Sequence, residues 1–354
     1  MKKISVVVPC YNAAEYLDKC IQYLLNQTIG LENIEIILVN DASTDNGKTW
    51  EIIRKYEQIF PDNILAISLE ENLRQGGARN VGISYASGEY LIFCDADDWL
   101  LEEALEHLYN IAKKYDADVV EFRINNIRNH EIDKIALQKG NEDLFIEIDT
   151  EEKRKALLLT VTNELSLGSQ KKLYKLSLIQ DNEIRFAEHL IFEEPSFMVP
   201  IRLYEKKHYF LDEALYVCYL SPESTVRGEW GNHKYDNPKV WLYLLKDLIN
   251  RGAMDCYGKE IEYLFTRWYL GLTLKLWCQK GYIISKSEME ELQNTVLEFF
   301  PNILHNPYLE ADSSGNQLIL GTLRMEITNE SIKVLNELLC KAFRKLKENE
   351  NEKG

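Results

Sequence analysis

Short apolar runs alternate with stretches of helical periodicity through the first 124 residues. The runs predict strands at 5–8, 34–39, 64–69, 90–94 and 117–124. The periodic stretches predict helices at 16–25, 50–59, 78–86 and 101–115. Continuous apolar strands separated by amphipathic helices are typical of a mostly parallel sheet flanked by helices, so the pattern predicts an α/β, Rossmann-like fold. Right-handed crossovers then place the carboxyl ends of the strands at one edge, where such sheets bind ligands.

The pattern changes after residue 125. A polar stretch to 143 predicts an exposed hairpin or loop, and further strands are predicted at 144–148, 209–211 and 214–220, with a helix at 151–159. From about residue 238 the chain is predicted to be helical, at 240–248, 257–279, 286–300 and 336–347. We therefore expect a domain over 1–225, built from halves 1–124 and 125–225, followed by a mainly helical C-terminal region over 226–354.

Charge and cysteine usage narrow the class of protein. The chain has 41 Lys and Arg against 57 Asp and Glu, a formal net charge of -16. This balance argues against a nucleic-acid partner, because binding a phosphate backbone needs a basic surface. The seven cysteines are scattered without a Cys-x-x-Cys pair, which predicts neither a zinc site nor a disulfide framework. Without a signal peptide or an apolar run of ~20 residues, we expect a cytoplasmic protein with no transmembrane segment.

Carboxylates follow the predicted strands where each one ends. Asp41 follows the second strand, while Asp95 and Asp97 follow the fourth. Side chains at i and i+2 of a strand end point the same way, so Asp95 and Asp97 can address one ion. Carboxylate pairs suit Mg²⁺ or Mn²⁺, which take oxygen ligands and keep positions open for phosphate oxygens. The sequence thus predicts a divalent cation at this edge.

Several of these residues also have a purely structural interpretation. Asp45 and Asp98 are each placed to cap a following helix, the second of which would begin near Trp99. Gly76 and Gly77 predict a flexible turn. Arg79 is either a functional residue or a solvated helix residue. Neither G-x-G-x-x-G after the first strand nor G-x-x-x-x-G-K-[ST] occurs in this half, which disfavours a dinucleotide dehydrogenase or a P-loop enzyme.

Four segments together resemble one known family. They are SVVVPCYN at 5–12, VNDASTD at 39–45, ARNVG at 78–82 and GEYLIFCDADDW at 88–99. In this order and spacing they resemble family 2 glycosyltransferases of the GT-A (nucleotide-diphospho-sugar transferase) fold, and the match covers essentially all of residues 1–124. The resemblance makes 1–124 the nucleotide-binding half and 125–225 the half that supplies the acceptor site and the base.

The resemblance also implies roles for individual residues. Pro9, Tyr11 and Asp41 would line a uracil pocket, with Asn12 beside them in the nucleotide site. Arg79 would lie beside the nucleotide, near the diphosphate. Asp95 would hold the ribose and approach the metal, which Asp97 would ligate between the two phosphates. The metal would stabilise charge on the leaving diphosphate as the sugar–oxygen bond breaks.

Similar enzymes use a Glu-Asp pair to deprotonate the acceptor hydroxyl. Here the segment FAEHLIFEEPSF at 186–197 occupies that place, with Glu194 where Asp is usual and Glu193 as the reserve candidate. A glutamate can do the same chemistry but reaches one methylene further. The structural alternative, compatible with the first, is that Glu193, Glu194 and Pro195 begin a helix. His189 is interpreted as a loop residue.

Two later features each have a functional and a structural interpretation. SPESTVR at 221–227 is similar to a segment that closes over donor phosphates, so Arg227 is either a diphosphate ligand or a surface arginine after a turn. Aromatic residues at helical spacing are interpreted as core rather than as acceptor-stacking surfaces. These are Trp241, Trp268, Tyr269 and Trp277.

The resemblance implies a metal-dependent, inverting glycosyltransferase that moves a sugar from a UDP-sugar to an acceptor hydroxyl. Its acceptor would be a growing surface polysaccharide or a lipid-linked oligosaccharide, met at the inner face of the membrane by peripheral contact. One alternative is a non-catalytic nucleotide-sugar-binding subunit, which the Asp-to-Glu departure leaves open. A sugar nucleotidyltransferase is less favoured, because residues 11–15 are neither glycine-rich nor basic.

Overall fold

The computed structural model describes residues 2–127, 138–140, 142–161, 167–220, 231–311 and 313–351. The chain divides into two compact units. The first comprises Met1–Leu158 with Asn163–Gly228, and the second comprises Leu159–Thr162 with Glu229–Gly354. The functional division at residues 124 and 225 stays a prediction.

The first unit is built on one mixed sheet. Its strands are β1 (Ile4–Cys10), β2 (Ile34–Asn40), β3 (Ile64–Ser68), β4 (Tyr90–Phe93), β5 (Trp99–Leu100), β6 (Val119–Ile127), β7 (Gln138–Lys139), β8 (Leu144–Glu147), β9 (Lys172–Lys175) and β10 (Lys207–Tyr219). The sheet order is β3-β2-β1-β4-β9-β6-β10-β5, and β7 and β8 also pair with β10. The first four strands are parallel, whereas β9 is antiparallel to both of its neighbours.

Helices flank this sheet, and all but α6 correspond to a predicted helix or helix start. They are α1 (Leu17–Leu25), α2 (Lys48–Ile59), α3 (Arg74–Tyr85), α4 (Ala104–Tyr115), α5 (Glu151–Thr160), α6 (Leu176–Asp181) and α7 (Glu194–Tyr204). All of β1 is buried, and α1 buries Leu17, Cys20, Ile21 and Leu24, at the three- and four-residue spacing of one helical face. The α/β prediction is confirmed, and the parallel part of the sheet brings the ends of β1, β2 and β4 to one edge.

The predicted glycine turn at 76–77 is wrong, because α3 already begins at Arg74 and includes both glycines. Glycine is needed there for packing rather than for a turn: a Cβ on Gly76 would lie 2.6 Å from the carbonyl oxygen of Ala187. Because α3 begins at Arg74, Arg79 lies in its second turn, where it is 1% exposed. The alternative that Arg79 is a solvated helix residue is therefore also wrong.

The strands predicted at 209–211 and 214–220 form one continuous strand, β10. Its register against β6 shifts between Leu211 and Ala214 and again between Ala214 and Tyr216. Such irregularities insert residues without ending a strand, which is why the polar pair at 212–213 looked like a break in the sequence.

The second unit is helical, as predicted. Its helices are α8 (Asp236–Asn250), α9 (Ala253–Phe265), a π-helical turn (Thr266–Leu272), α10 (Thr273–Gln279), α11 (Lys286–Phe299), α12 (Pro307–Glu310), α13 (Ser314–Arg324) and α14 (Asn329–Asn351). Trp241, Trp268, Tyr269 and Trp277 are buried, which confirms their core interpretation. Among the described residues, none of the helices combines the length and the hydropathy that a transmembrane span needs.

Candidate active site

The ends of β1 and β2 are tied together by Asn12. Its side-chain Oδ1 accepts a hydrogen bond from the backbone N–H of Thr44 at 2.7 Å. The backbone N–H of Asn12 donates to Ser43 Oγ at 3.0 Å. Asn12 has a φ of 50°, a conformation that asparagine tolerates better than most residues. On the same strand end Pro9 is buried and Tyr11 is 46% exposed. This combination presents an aromatic ring at the predicted nucleotide site.

Asp41 joins the end of β2 to the start of α3. Its Oδ1 accepts a hydrogen bond from the Leu73 amide at 2.7 Å, and its carbonyl accepts one from Asn72 Nδ2 at 3.2 Å. The side chain is buried, and burial raises its pKa although the hydrogen bond from Leu73 opposes the rise. Asp41 is thus a buried carboxylate, held in a fixed orientation at the carboxyl end of β2.

Asp45 has the capping role that the sequence offered as its alternative. Its Oδ2 accepts hydrogen bonds from the Thr49 amide at 3.0 Å and the Thr49 hydroxyl at 2.6 Å. Since α2 begins at Lys48, this carboxylate satisfies an otherwise unpaired first-turn amide.

Asp95 and Asp97 lie in the acidic turn, residues 95–98, that follows β4. Gln75 Nε2 and Arg79 Nη2 donate to Asp95 Oδ1 at 2.7 and 2.9 Å. Asp97 is half-buried, and its burial together with the charge of Asp95 raises its pKa to about 6. Two carboxylates that repel each other at the end of a strand are what an added cation would stabilise.

The donor set fits Mg²⁺ or Mn²⁺ bound together with a substrate. In the described residues, no group of three or more His, Cys, Asp or Glu side chains could hold a metal ion by itself. These ions commonly use one or two carboxylates and complete their shell with substrate phosphates and water. The two donors to Asp95 both use Oδ1, so Asp95 Oδ2 and Asp97 are the oxygens suited to such an ion.

Asp98 belongs to the sheet and does not cap a helix. Trp99–Leu100 is strand β5, and the next helix begins only at Ala104, so the capping prediction is wrong. Instead Asp98 accepts hydrogen bonds from the Tyr216 hydroxyl at 2.7 Å and the Tyr219 amide at 2.8 Å. Burial, and then the charges of Asp95 and Asp97, raise its pKa to about 8.

Arg79 connects the acidic turn to the loop before α7. Its Nη2 contacts Asp95, and its Nη1 lies 3.0 Å from Glu193 Oε1, with both Arg79 and Glu193 buried. Burial lowers the pKa of Arg79, but the carboxylates of Asp95, Glu193 and Glu194 outweigh it and raise the pKa above its ordinary value. Burial raises the pKa of Glu193 to about 7, although Arg79 opposes this.

Glu194 begins α7, with Pro195 in the first turn, as the helix-start alternative predicts. Its Oε1 accepts hydrogen bonds from the Ser169 amide at 3.1 Å and the Ser169 hydroxyl at 3.4 Å, and neither uses Oε2. The side chain is half-buried. His189 is an exposed loop residue, as predicted, and Arg227 lies outside the described residues.

A buried cluster of charged side chains at the C-terminal end of α7 was not predicted from the sequence. Arg202 donates to Glu205 Oε1 at 2.6 Å and to Glu121 Oε2 at 2.9 Å, while His208 Nδ1 lies 2.9 Å from Glu205 Oε2. One available signal was Glu121, a charged residue between the apolar residues Val120 and Phe122 of a predicted strand. The cluster fixes the end of α7 against β6 and β10.

We expect this cluster to make stability acid-sensitive. Burial opposes ionisation, but Lys172 and Arg202 lower the pKa of Glu121 to about 2, and Arg202 and His208 lower that of Glu205 to about 2. Their contribution is therefore complete above the ordinary glutamate pKa and is lost as the pH falls toward 2. Glu205→Gln should lower the free energy of unfolding by roughly 3 kcal/mol at pH 7, with a gap to wild type that shrinks between about pH 4.5 and pH 2. Urea denaturation across this range measures the gap.

The matched control is Glu51→Gln on α2, which makes the same chemical change at an exposed side chain. Its effect should stay within about 0.5 kcal/mol. A Glu205→Gln gap that is constant from pH 7 to pH 2 contradicts the assignment.

Comparison with known proteins shows which proteins this chain is similar to. A family model described as Glycosyl transferase family 2 matches residues 5–168. The chain is similar to glycosyltransferase GlyG of Streptococcus pneumoniae, with 34% identity over 271 residues, which is 75% of this chain and 84% of that protein. It is 32% identical over 236 residues to the poly(ribitol-phosphate) beta-glucosyltransferase of Bacillus spizizenii. That match covers 63% of this chain but only 35% of the longer Bacillus protein.

Among solved structures, the chain is similar to S. aureus TarS 1–349 in complex with UDP-GlcNAc. The TM-score is 0.65 with 20% sequence identity, over 97% of this chain and 92% of that one. This likeness confirms the predicted GT-A fold with its helical C-terminal region.

Proposed function

The chain belongs to the family 2 glycosyltransferases, and on that premise we propose that it transfers a sugar, with inversion, from a UDP-sugar to an acceptor hydroxyl. We further propose that a divalent cation assists at Asp95 and Asp97, and that Glu194 is the base. GlyG supports the family assignment, because it is more than 30% identical and most of its length is matched.

One observation carries the proposal. The guanidinium of Arg79 touches Asp95 on the donor side and Glu193 on the base side. This contact holds Arg79 and Glu193 in one site although they are 114 residues apart in the sequence. A protein that only bound a nucleotide would not need a second carboxylate pair beside its acidic turn. The arrangement therefore favours catalysis over the non-catalytic alternative.

The donor side would hold the nucleotide and the cation. Pro9, Tyr11, Asn12 and Asp41 surround the ends of β1 and β2, where the base of UDP would lie. Asp97, with Asp95 Oδ2, would hold the cation, which when bound stabilises charge on the leaving diphosphate. Arg79 would orient Asp95, and Arg227 is proposed, on the family resemblance alone, to approach the diphosphate.

The base side would hold the acceptor. Ser169 fixes Glu194 Oε1, so Oε2 is oriented to take the proton from the acceptor hydroxyl as that oxygen attacks the anomeric carbon. Direct displacement from the face opposite to the diphosphate inverts the anomeric centre. Glu193 would remain bound to Arg79 and serve as a positioning residue, with the reserve role of base.

The acceptor is proposed to be a hydroxyl of a cell-surface polymer. The Bacillus relative is named for poly(ribitol-phosphate), which supports a polyol-phosphate or carbohydrate chain as acceptor. Such an acceptor would be reached from the cytoplasm by peripheral contact with the inner membrane face.

A thermal-shift panel tests the donor and cation together. The panel comprises UDP, UDP-glucose, UDP-galactose, UDP-GlcNAc and GDP-mannose, each with Mn²⁺ or with EDTA. We expect a uridine ligand with Mn²⁺ to stabilise the protein by about 2.7 kcal/mol at 100 times its Kd. Asp97→Asn should abolish the Mn²⁺-dependent part of the shift. If no uridine nucleotide raises the melting temperature, the proposed donor is wrong; if EDTA leaves every shift unchanged, the proposed cation is wrong.

A further inference from the structure

The acidic turn is tied to a distant strand through one hydroxyl group. Tyr216, on β10, is fully buried, and its Oη accepts a hydrogen bond from the Asp95 amide at 3.0 Å. The same oxygen donates to Asp98 Oδ2 at 2.7 Å. Tyr216 therefore contacts both ends of residues 95–98, the segment that contains Asp97.

The rest of the turn is fixed by the backbone. The Asp98 amide donates to the Asp95 carbonyl at 3.0 Å, and the Cys94 amide just before the turn donates to the Val7 carbonyl of β1 at 3.0 Å. On the other side β5 pairs with β10 at Tyr216 and Val217. These bonds define where the turn starts and ends, and the Tyr216 hydroxyl joins the Asp95 amide to the Asp98 carboxylate.

We propose that Tyr216 and Asp98 are positioning residues that hold the Asp95 and Asp97 carboxylates in the geometry required for the cation and the nucleotide diphosphate. Neither residue is assigned contact with the substrate. Outer contacts of this kind orient the ligands of a metal, and their loss typically weakens metal binding ~10–100-fold. The proposal rests on the proposed function, because it presumes that the acidic turn binds a cation.

β10 offers a matched control for removal of this hydroxyl. Tyr209 lies on the same strand, is also buried, and donates its own hydroxyl to an aspartate, Asp143 Oδ2, at 2.9 Å. Tyr209→Phe therefore removes a Tyr–Asp hydrogen bond from β10 and leaves residues 95–98 intact, whereas Tyr216→Phe removes the bonds to both Asp95 and Asp98. A general loss of strand stability would affect both variants alike.

The test measures Mn²⁺ binding by electron paramagnetic resonance in the presence of UDP, at a temperature where all variants are folded. We expect Tyr216→Phe to raise the Kd for Mn²⁺ ~10–100-fold, and Tyr209→Phe to change it less than ~2-fold. Asp98→Asn keeps the shape of the side chain but lacks one acceptor oxygen, so it should also raise the Kd for Mn²⁺. KM for the UDP-sugar should rise in Tyr216→Phe with the cation at a fixed subsaturating concentration, and excess Mn²⁺ should restore it.

Two results separate this inference from the proposed function. If wild-type protein binds Mn²⁺ with UDP and Tyr216→Phe binds it equally well, the positioning role is wrong while the proposed function stands. Equal weakening in Tyr216→Phe and Tyr209→Phe likewise overturns the positioning role. If wild-type protein itself binds no Mn²⁺ in the presence of UDP, both proposals fall.

Discussion

Replacing Glu194 by Gln is expected to lower sugar transfer by ~10²–10⁴-fold, the usual contribution of a positioned general base. Gln keeps the size of the side chain and an oxygen that can accept the bonds from Ser169, so α7 should begin as before. Binding of the UDP-sugar should therefore be unchanged. Transfer is measured as UDP release in the presence of acceptor, and donor binding as the Mn²⁺-dependent thermal shift.

The control is Glu188→Gln in the loop before α7. Glu188 is exposed and accepts a hydrogen bond from Asn80 Nδ2 at 2.9 Å, which a Gln oxygen can also accept. Its transfer rate should stay close to that of wild type. If Glu194→Gln retains most of its activity while Glu193→Gln loses it, the base is Glu193, and our assignment within the pair is wrong.

Replacing Arg79 by Met is expected to lower the free energy of unfolding by about 3–5 kcal/mol, because removing one partner leaves buried charge uncompensated. Glu193 loses its cation and is buried, while Asp95 loses one of its two donors. The same variant should lose Mn²⁺-dependent binding of the UDP-sugar, since Asp95 is no longer oriented. Denaturant unfolding and thermal shift measure the two effects.

The stability loss should depend on pH in a definite direction. Without Arg79 the pKa of Glu193, already about 7, rises further above that of the unfolded chain. The folded variant then binds more protons than the unfolded one, so its stability falls as the pH rises above the ordinary glutamate pKa. The difference from wild type should thus be larger at pH 8 than at pH 5.

Arg54→Met is the matched control, because Arg54 forms an ion pair with Glu57 on the exposed face of α2. Surface pairs of this kind contribute ~0–1 kcal/mol, so this variant should unfold almost as wild type does. A loss below about 1 kcal/mol for Arg79→Met would mean that the buried carboxylates do not depend on this arginine.

The sequence was sufficient to predict the fold of the first 124 residues. Each predicted strand and helix of the first 124 residues has a counterpart, because apolar periodicity reports which face of an element is buried. The identification of the edge with Asp41, Asp95 and Asp97 needed only the rule that parallel strands end together. Glu194 as the base came from the resemblance and stays a prediction, whereas its place at the start of α7 agrees with the helix-start alternative.

The remaining features depend on contacts between distant residues. Gly76 and Gly77 look like a turn until the close approach of the loop at Ala187 is known. Asp98 looks like a helix cap because its partners, Tyr216 and Tyr219, are about 120 residues away. Periodicity within a short window carries no information on such partners.

The insertion of β9 between β4 and β6 has a consequence for synthesis on the ribosome. β4 ends at Phe93, but the strand that covers its free edge ends only at Lys175, about 80 residues later. At roughly 5–20 residues per second, the nascent chain carries that uncovered apolar edge for on the order of 4–16 s. Exposed strand edges attract other chains, so this interval is when a chaperone would matter most for the yield of active protein.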